Sequence, residues 1–250
     1  MDEMKKFFVV SDIHGHCSIL KEALSKAGFD KNNEEHVLIC CGDLFDRGPE
    51  NMKVLKFIDA IDNKILIMGN HDERFLEIFR TGKLKEHDFD NGTAGSMVEF
   101  FGKYAVDGNT GDVDFSGNTR TVDRISDLIG EMRDYFETEN YIFTHGWLPT
   151  VIRDGKNVIY DGWRNAAPSV WSQARWKKWP EMYGDGALVE GKTIVCGHYP
   201  AIFANIFDRS RKPGSSEPFY DEGIIAIDAG TYTSGRINVL VIEDKMYYNS

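Results

Sequence analysis

Short apolar runs punctuate this chain, and five of them stop abruptly in residues suited to binding metal ions or phosphate. FFVV ends in Ser11-Asp12-Ile13-His14-Gly15, and VLICC ends in Gly42-Asp43-Leu44-Phe45-Asp46-Arg47-Gly48. ILIM leads into Gly69-Asn70-His71-Asp72, YIFT into His145-Gly146, and TIVC into Gly197-His198. Near-continuous apolar runs of this length predict strands buried in a sheet between helices. In an open α/β sheet, ligands sit outside the carboxyl ends of the strands. The pattern therefore predicts one rim on which Asp, Asn and His side chains gather.

The first three strands, at residues 7–10, 37–41 and 65–68, alternate with predicted helices. One covers 18–27 and stops at Gly28; a second begins near Pro49; a third runs through ERFLEIFRTG to Gly82. Residues 83–138 are polar and glycine-dotted, then helical around 121–136. They read as a helical excursion beside the rim, with a lid and a plain insertion both open. Strands resume at 141–144, 193–196, 224–227 and 237–242. Between the first two of these lie Trp163, Trp171, Trp176 and Trp179, interleaved with Arg164, Arg175, Lys177 and Lys178.

With 250 residues and 42% apolar content, the chain can form one large α/β domain over 1–250. No apolar stretch approaches the roughly 20 residues of a membrane span, and the N-terminus does not read as a secretory signal. Three of the four cysteines (Cys17, Cys40, Cys41 and Cys196) lie in or at the end of strand-like runs, so small buried thiols and a cytoplasmic setting are expected. The net charge of −11, without a basic tract, argues against binding to a nucleic-acid duplex.

Asp12 and His14 are two apart, so on extended chain they face the same way. With Asp43, Asn70, His145 and His198 they make two carboxylates, three imidazoles and one amide. That is more than one mononuclear centre uses, and it suits two metals sharing a carboxylate. Mixed oxygen and nitrogen ligation without thiolate suits Mn²⁺, Fe or Zn²⁺. Position alone proves little: Asp228 also ends a strand and is not read as a ligand. Arg47 supplies a planar fork for phosphate oxygens, and Asp46 is placed to orient an imidazole.

Residues 9–48, Gly69–Asp72, His145-Gly146 and Gly197-His198 resemble, in order, the signature blocks of the calcineurin-like metallophosphoesterases. The Asp46-Arg47-Gly48 ending resembles the PPP-type phosphoprotein phosphatases and their phage members, such as lambda phosphatase. The resemblance implies a β-sheet sandwich flanked by helices. It implies two divalent ions, expected as Mn²⁺, one on Asp12, His14 and Asp43 and the other on Asp43, Asn70, His145 and His198. It makes His71 the general acid paired with Asp46, and it makes Arg47 a phosphate ligand assisted by Arg175, with Arg164 the other candidate. Asp72, Trp147 and Tyr199 depart from the usual motifs and are expected to alter the lining of the site.

The expected reaction is direct attack of a dimetal-bound hydroxide on phosphorus, without a phosphoenzyme. A serine/threonine-type phosphoprotein phosphatase acting on phosphorylated protein or small esters is the first expectation. A dinucleoside polyphosphate hydrolase is the second, with Trp147 or the tryptophan-rich segment stacking a purine or, more simply, packing a loop. An inactive phosphate-binding scaffold is the third.

Overall fold

Alternation within each strand sorts this chain into layers. The computed structural model describes residues 3–246. Its strands are β1 (Glu3–Val10), β2 (His36–Cys41), β3 (Lys64–Ile67), β4 (Tyr135–Glu137), β5 (Tyr141–Thr144) and β6 (Thr150–Arg153). They continue with β7 (Lys156–Ile159), β8 (Thr193–Cys196), β9 (Phe219–Asp221), β10 (Ile224–Ala226) and β11 (Leu240–Met246). One sheet has the order β11-β1-β2-β3 and a second the order β4-β5-β8-β10-β9, while β6 and β7 form a separate hairpin. In the first sheet β1, β2 and β3 are parallel, and β11 returns antiparallel to β1. In the second, β5, β8 and β10 are parallel, flanked by antiparallel β4 and β9.

The two sheets pack face to face. Phe7, Val9, Ile39 and Cys41 from the first meet Phe136, Phe143, Val195 and Ile225 from the second in one buried cluster. The intervening residues point the other way, as a period of two requires. Phe8, Val10, Leu38 and Cys40 lie under the helices Cys17–Ala27 and Asn51–Asp59. Ile142, Ile194, Cys196 and Ile224 lie under the tryptophan-rich segment. The expected sandwich flanked by helices is what the chain forms.

Several boundaries differ from the sequence reading. The third helix begins at Asn70, so Asn70 and His71 stand in its first turn. The helix expected to reach Phe136 ends at Gly130, because Arg133 pairs its backbone with Leu66 and Met68 at the edge of β3 and the chain then enters β4. The last strand starts at Leu240 instead of Ile237, since the Asn238 side chain is spent on the carbonyls of Ser216 and Ile227. All four cysteines are buried free thiols. No helix among the described residues is long and apolar enough to cross a membrane.

Candidate functional site

The parallel strands of both sheets deliver their carboxyl ends to one place. The loops are cross-tied there: Asp12 N–H donates to the Gly42 carbonyl at 3.1 Å, and Gly197 N–H to the His145 carbonyl at 2.8 Å. Side chains tie the sheets to each other, with His198 N–H donating to Asp12 Oδ2 at 2.9 Å and His145 Nδ1 meeting the Cys41 carbonyl at 2.8 Å. Close approach explains one of the motif glycines, since a Cβ on Gly42 would stand 2.6 Å from the His145 ring.

Backbone conformation marks the same spot. Seven non-glycine residues among those described have positive φ, and six of them are Asp12, His14, Asp43, Asp46, Arg47 and His198. Such conformations cost on the order of 1–3 kcal/mol each and persist where surrounding structure holds them, typically at functional sites. Five of the six are Asp or His, types enriched among non-glycine residues in that region.

Asp43 sits at the centre. Its Oδ2 lies 3.6 Å from His14 Nε2 and 3.4 Å from His145 Nε2, and its Oδ1 accepts the His71 N–H at 3.0 Å. Asp12 Oδ1 is 3.8 Å from His14 Nε2, and Asn70 Oδ1 is 2.8 Å from His145 Nε2. The donor atoms form two groups sharing Asp43, one with His14 and His71 and the other with His145 and His198, each within 4.8 Å. His14 and His145 turn Nδ1 to the carbonyls of Phe45 and Cys41, and His198 bonds the Trp176 carbonyl. Carbonyl bonds of this kind orient a ring and leave the other nitrogen for a metal.

Electrostatics favours the same use. Burial holds His14 well below its ordinary value and His198 at about 3, keeping both imidazoles neutral with lone pairs free. Burial raises the Asp12 carboxyl, His145 opposes that, and the neighbouring Asp43 adds to it. Burial also lifts Asp228, with Asp12 contributing. Burial would raise Asp43 as well, yet the surrounding imidazoles, His145 foremost, hold it below the usual carboxylate range. The buried carboxyls of Asp12 and Asp43 beside the neutral imidazoles of His14 and His198 form a donor set that fits divalent cations. Asp228 belongs to neither group; its Oδ1 accepts the Gly230 N–H at 2.7 Å.

His71 and Asp46 are paired at 2.7 Å through Nδ1 and Oδ2. Burial would lower His71, but the charges of Asp43 and then Asp46 override it and raise the imidazole to about 9. Arg47 spans the two halves, its Nη1 being 2.8 Å from His14 Nε2 and its Nη2 3.2 Å from His71 Nε2. The His71 contact needs a lone pair on Nε2, which the ring lacks below about pH 9, so near neutral pH the Nη2 side of the guanidinium is open to another acceptor, and a metal on His14 would open the Nη1 side.

The profile of calcineurin-like phosphoesterases matches residues 5–225. The chain belongs to that family. Over 95 residues it is 35% identical to a symmetrical bis(5'-nucleosyl)-tetraphosphatase of Buchnera aphidicola subsp. Baizongia pistaciae, covering 33% of this chain and 34% of the relative. The match thus spans about a third of that relative's length. A crystal structure assigned provisionally to a diadenosine tetraphosphatase superposes with TM-score 0.54 at 14% identity, covering 98% of this chain and 95% of the other. A cold-active protein tyrosine phosphatase of a psychrophilic Shewanella species superposes with TM-score 0.51 at 16% identity, covering 96% and 78%. These two structures share the fold.

Four side chains hold this candidate site in place through partners that the linear sequence does not show. Asp72 does not line the site as expected: it is fully buried, and its carboxylate accepts N–H bonds from Asp43, Leu44 and Gly69 at 2.8, 3.1 and 3.0 Å. It clamps the β2 loop to the helix that carries His71. Asp72→Ala would leave three buried donors unpaired; a loss of about 3 kcal/mol, or about 6–12 °C in melting temperature, is expected by calorimetry. Thr93 Oγ1 donates to Asp46 Oδ2 at 2.6 Å, Asn51 Oδ1 accepts the Asp46 N–H at 2.9 Å, and Glu99 receives both N–H groups of Asn51 and Met52. The helix Thr93–Phe101 therefore ties the 83–138 segment to the pair Asp46–His71.

Other residues singled out in the sequence have these surroundings. Arg175 is buried, and its guanidinium is engaged by Glu73 at 2.8 Å and by Asp134. Arg164 binds Glu137 at 2.9 and 2.8 Å and lies over the Trp163 ring. Trp147, Trp163, Trp171 and Trp179 are core residues, leaving Trp176 as the exposed ring of the segment, edge-on to His198 at 5.9 Å.

Proposed function

We propose that the chain hydrolyses dinucleoside polyphosphates, cleaving the central phosphoanhydride of a substrate such as diadenosine tetraphosphate to two nucleoside diphosphates. The name carried by the matching curated relatives is the observation on which this substrate class rests. It displaces the phosphoprotein phosphatase reading, which has no comparable support. The exposed Trp176 beside His198 agrees with it, since an aromatic face accepts a base.

Asp12, His14 and Asp43 would hold one divalent ion, and Asp43, Asn70, His145 and His198 the other. Such ions neutralise phosphoryl charge and activate water. Arg47 binds the phosphoryl oxygens through its fork once they displace it from the imidazole nitrogens. Asp46, steadied by Thr93, keeps a proton on His71 Nδ1, so Nε2 points toward the departing oxygen and can protonate it. A polyphosphate approaching an acidic protein depends on these cationic groups.

Incubation with diadenosine tetraphosphate and Mn²⁺, followed by anion-exchange separation, is expected to give two equivalents of ADP. AMP with ATP would contradict symmetrical cleavage. No turnover alongside dephosphorylation of a phosphothreonine peptide would restore the phosphoprotein reading.

A further inference from the structure

A cleft of about 250 Å³ opens beside Arg47, and neither the metal ligands nor the His71 pair account for it. Arg47 is among its lining residues, so the cleft adjoins the place where the phosphate would lie. Asp90, Asn91 and Gly92 line it together with the flat surfaces of Pro200 and Tyr232. Its size is below the usual 300–1,000 Å³ of drug-sized ligand pockets, which suits a single planar ring system better than a whole nucleotide.

Tyr232 is the unusual member. It is 63% exposed, and among the described residues its ring has neither a stacking partner nor a hydrogen bond. Its backbone, by contrast, is fixed. The short helix Thr231–Ser234 is bracketed by Gly230 and Gly235, both at φ 64°, and Asp228 Oδ1 accepts the Gly230 N–H. Gly230 lies against Pro200, where a Cβ would be 3.5 Å from the proline ring, and Pro200 follows His198 by two residues. The strand end at Asp228, which contributes no candidate ligand, thus carries an unpartnered aromatic ring to the rim. Polar edges of Asp90 and Asn91 can meet the amino and ring nitrogens of a purine.

We propose that this cleft seats the base of one nucleotide of the substrate, stacked on Tyr232. The assignment rests on the nucleotide reading above and names the region of the protein that would distinguish a nucleotide from a bare phosphate chain. Stacking of a base on an aromatic side chain is large enough to change affinity by about ten-fold or more.

Calorimetric titration with ADP and with pyrophosphate, both with Mn²⁺ present, tests it without turnover. ADP is expected to bind the unaltered chain more tightly than pyrophosphate. Tyr232→Ala should weaken ADP about ten-fold and leave pyrophosphate unchanged, while Tyr232→Phe should keep the preference for ADP. Equal binding of the two ligands, an ADP affinity untouched by Tyr232→Ala, or equal weakening of both would overturn the assignment. ADP binding through Tyr232 without cleavage of diadenosine tetraphosphate would remove the proposed reaction and leave the base site standing; cleavage with no preference for ADP would do the reverse.

Discussion

Asp43→Asn is expected to strip both metal ions from the protein and to lower turnover at least about 10³-fold, about 4 kcal/mol of barrier. The size follows from position. Oδ2 of Asp43 is within 3.6 Å of His14 Nε2 and within 3.4 Å of His145 Nε2, so one oxygen serves both groups. Asparagine keeps the shape and can still accept the His71 N–H, but it removes the only charge common to the two. The neighbouring imidazoles, His145 foremost, hold the Asp43 carboxyl below its ordinary range, so its charge also stabilises the metal-free fold and the substitution is expected to lower the metal-free melting temperature. Metal content by mass spectrometry is the direct measure; two ions retained per chain would end the shared-ligand account.

The second large effect is expected at His71. His71→Asn should leave metal content intact and slow phenyl and alkyl phosphates by about 10²–10⁴-fold, while p-nitrophenyl phosphate falls far less. The asymmetry comes from the departing oxygen. A weakly basic leaving group, such as nitrophenolate or a nucleoside diphosphate, needs little help from a proton. The 2.7 Å bond to Asp46 fixes the Nδ1 proton and leaves Nε2 to serve strongly basic leaving groups. Parallel losses on both kinds of ester would show that His71 does something other than donate a proton.

Much of this site could be read from the chain because each block combines a strand signal with chemically restricted residues. FFVV and VLICC announce buried strands whatever follows them, and Asp12, His14 and Asp43 have few other reasons to follow so closely. Asp72, Thr93, Asn51 and Glu99 were opaque for the opposite reason. Each is an ordinary polar residue whose role depends on partners such as Asp43, Asp46 and Met52, and a linear pattern cannot specify those distances. The carboxylate partners of Arg175 were hidden for the same cause: Glu73 and Asp134 lie 102 and 41 residues away along the chain. The tryptophans could be sorted only once β8 and β10 showed which face they cover.

The two sheets meet at this rim with different halves of the donor set. Asp12, His14, Asp43 and Asn70 follow strands of the first sheet, and His145 and His198 follow β5 and β8 of the second. An ion held between Asp43 and His145 would therefore be a rivet through the sandwich as well as a reagent. Each such ion at a free concentration a hundred times its dissociation constant adds about 2.7 kcal/mol to resistance against unfolding. Chelation would then do more than stop the chemistry. It would leave the two rims joined there by bonds such as His198 to Asp12 and His145 to Cys41, with either layer free to open ahead of its neighbour.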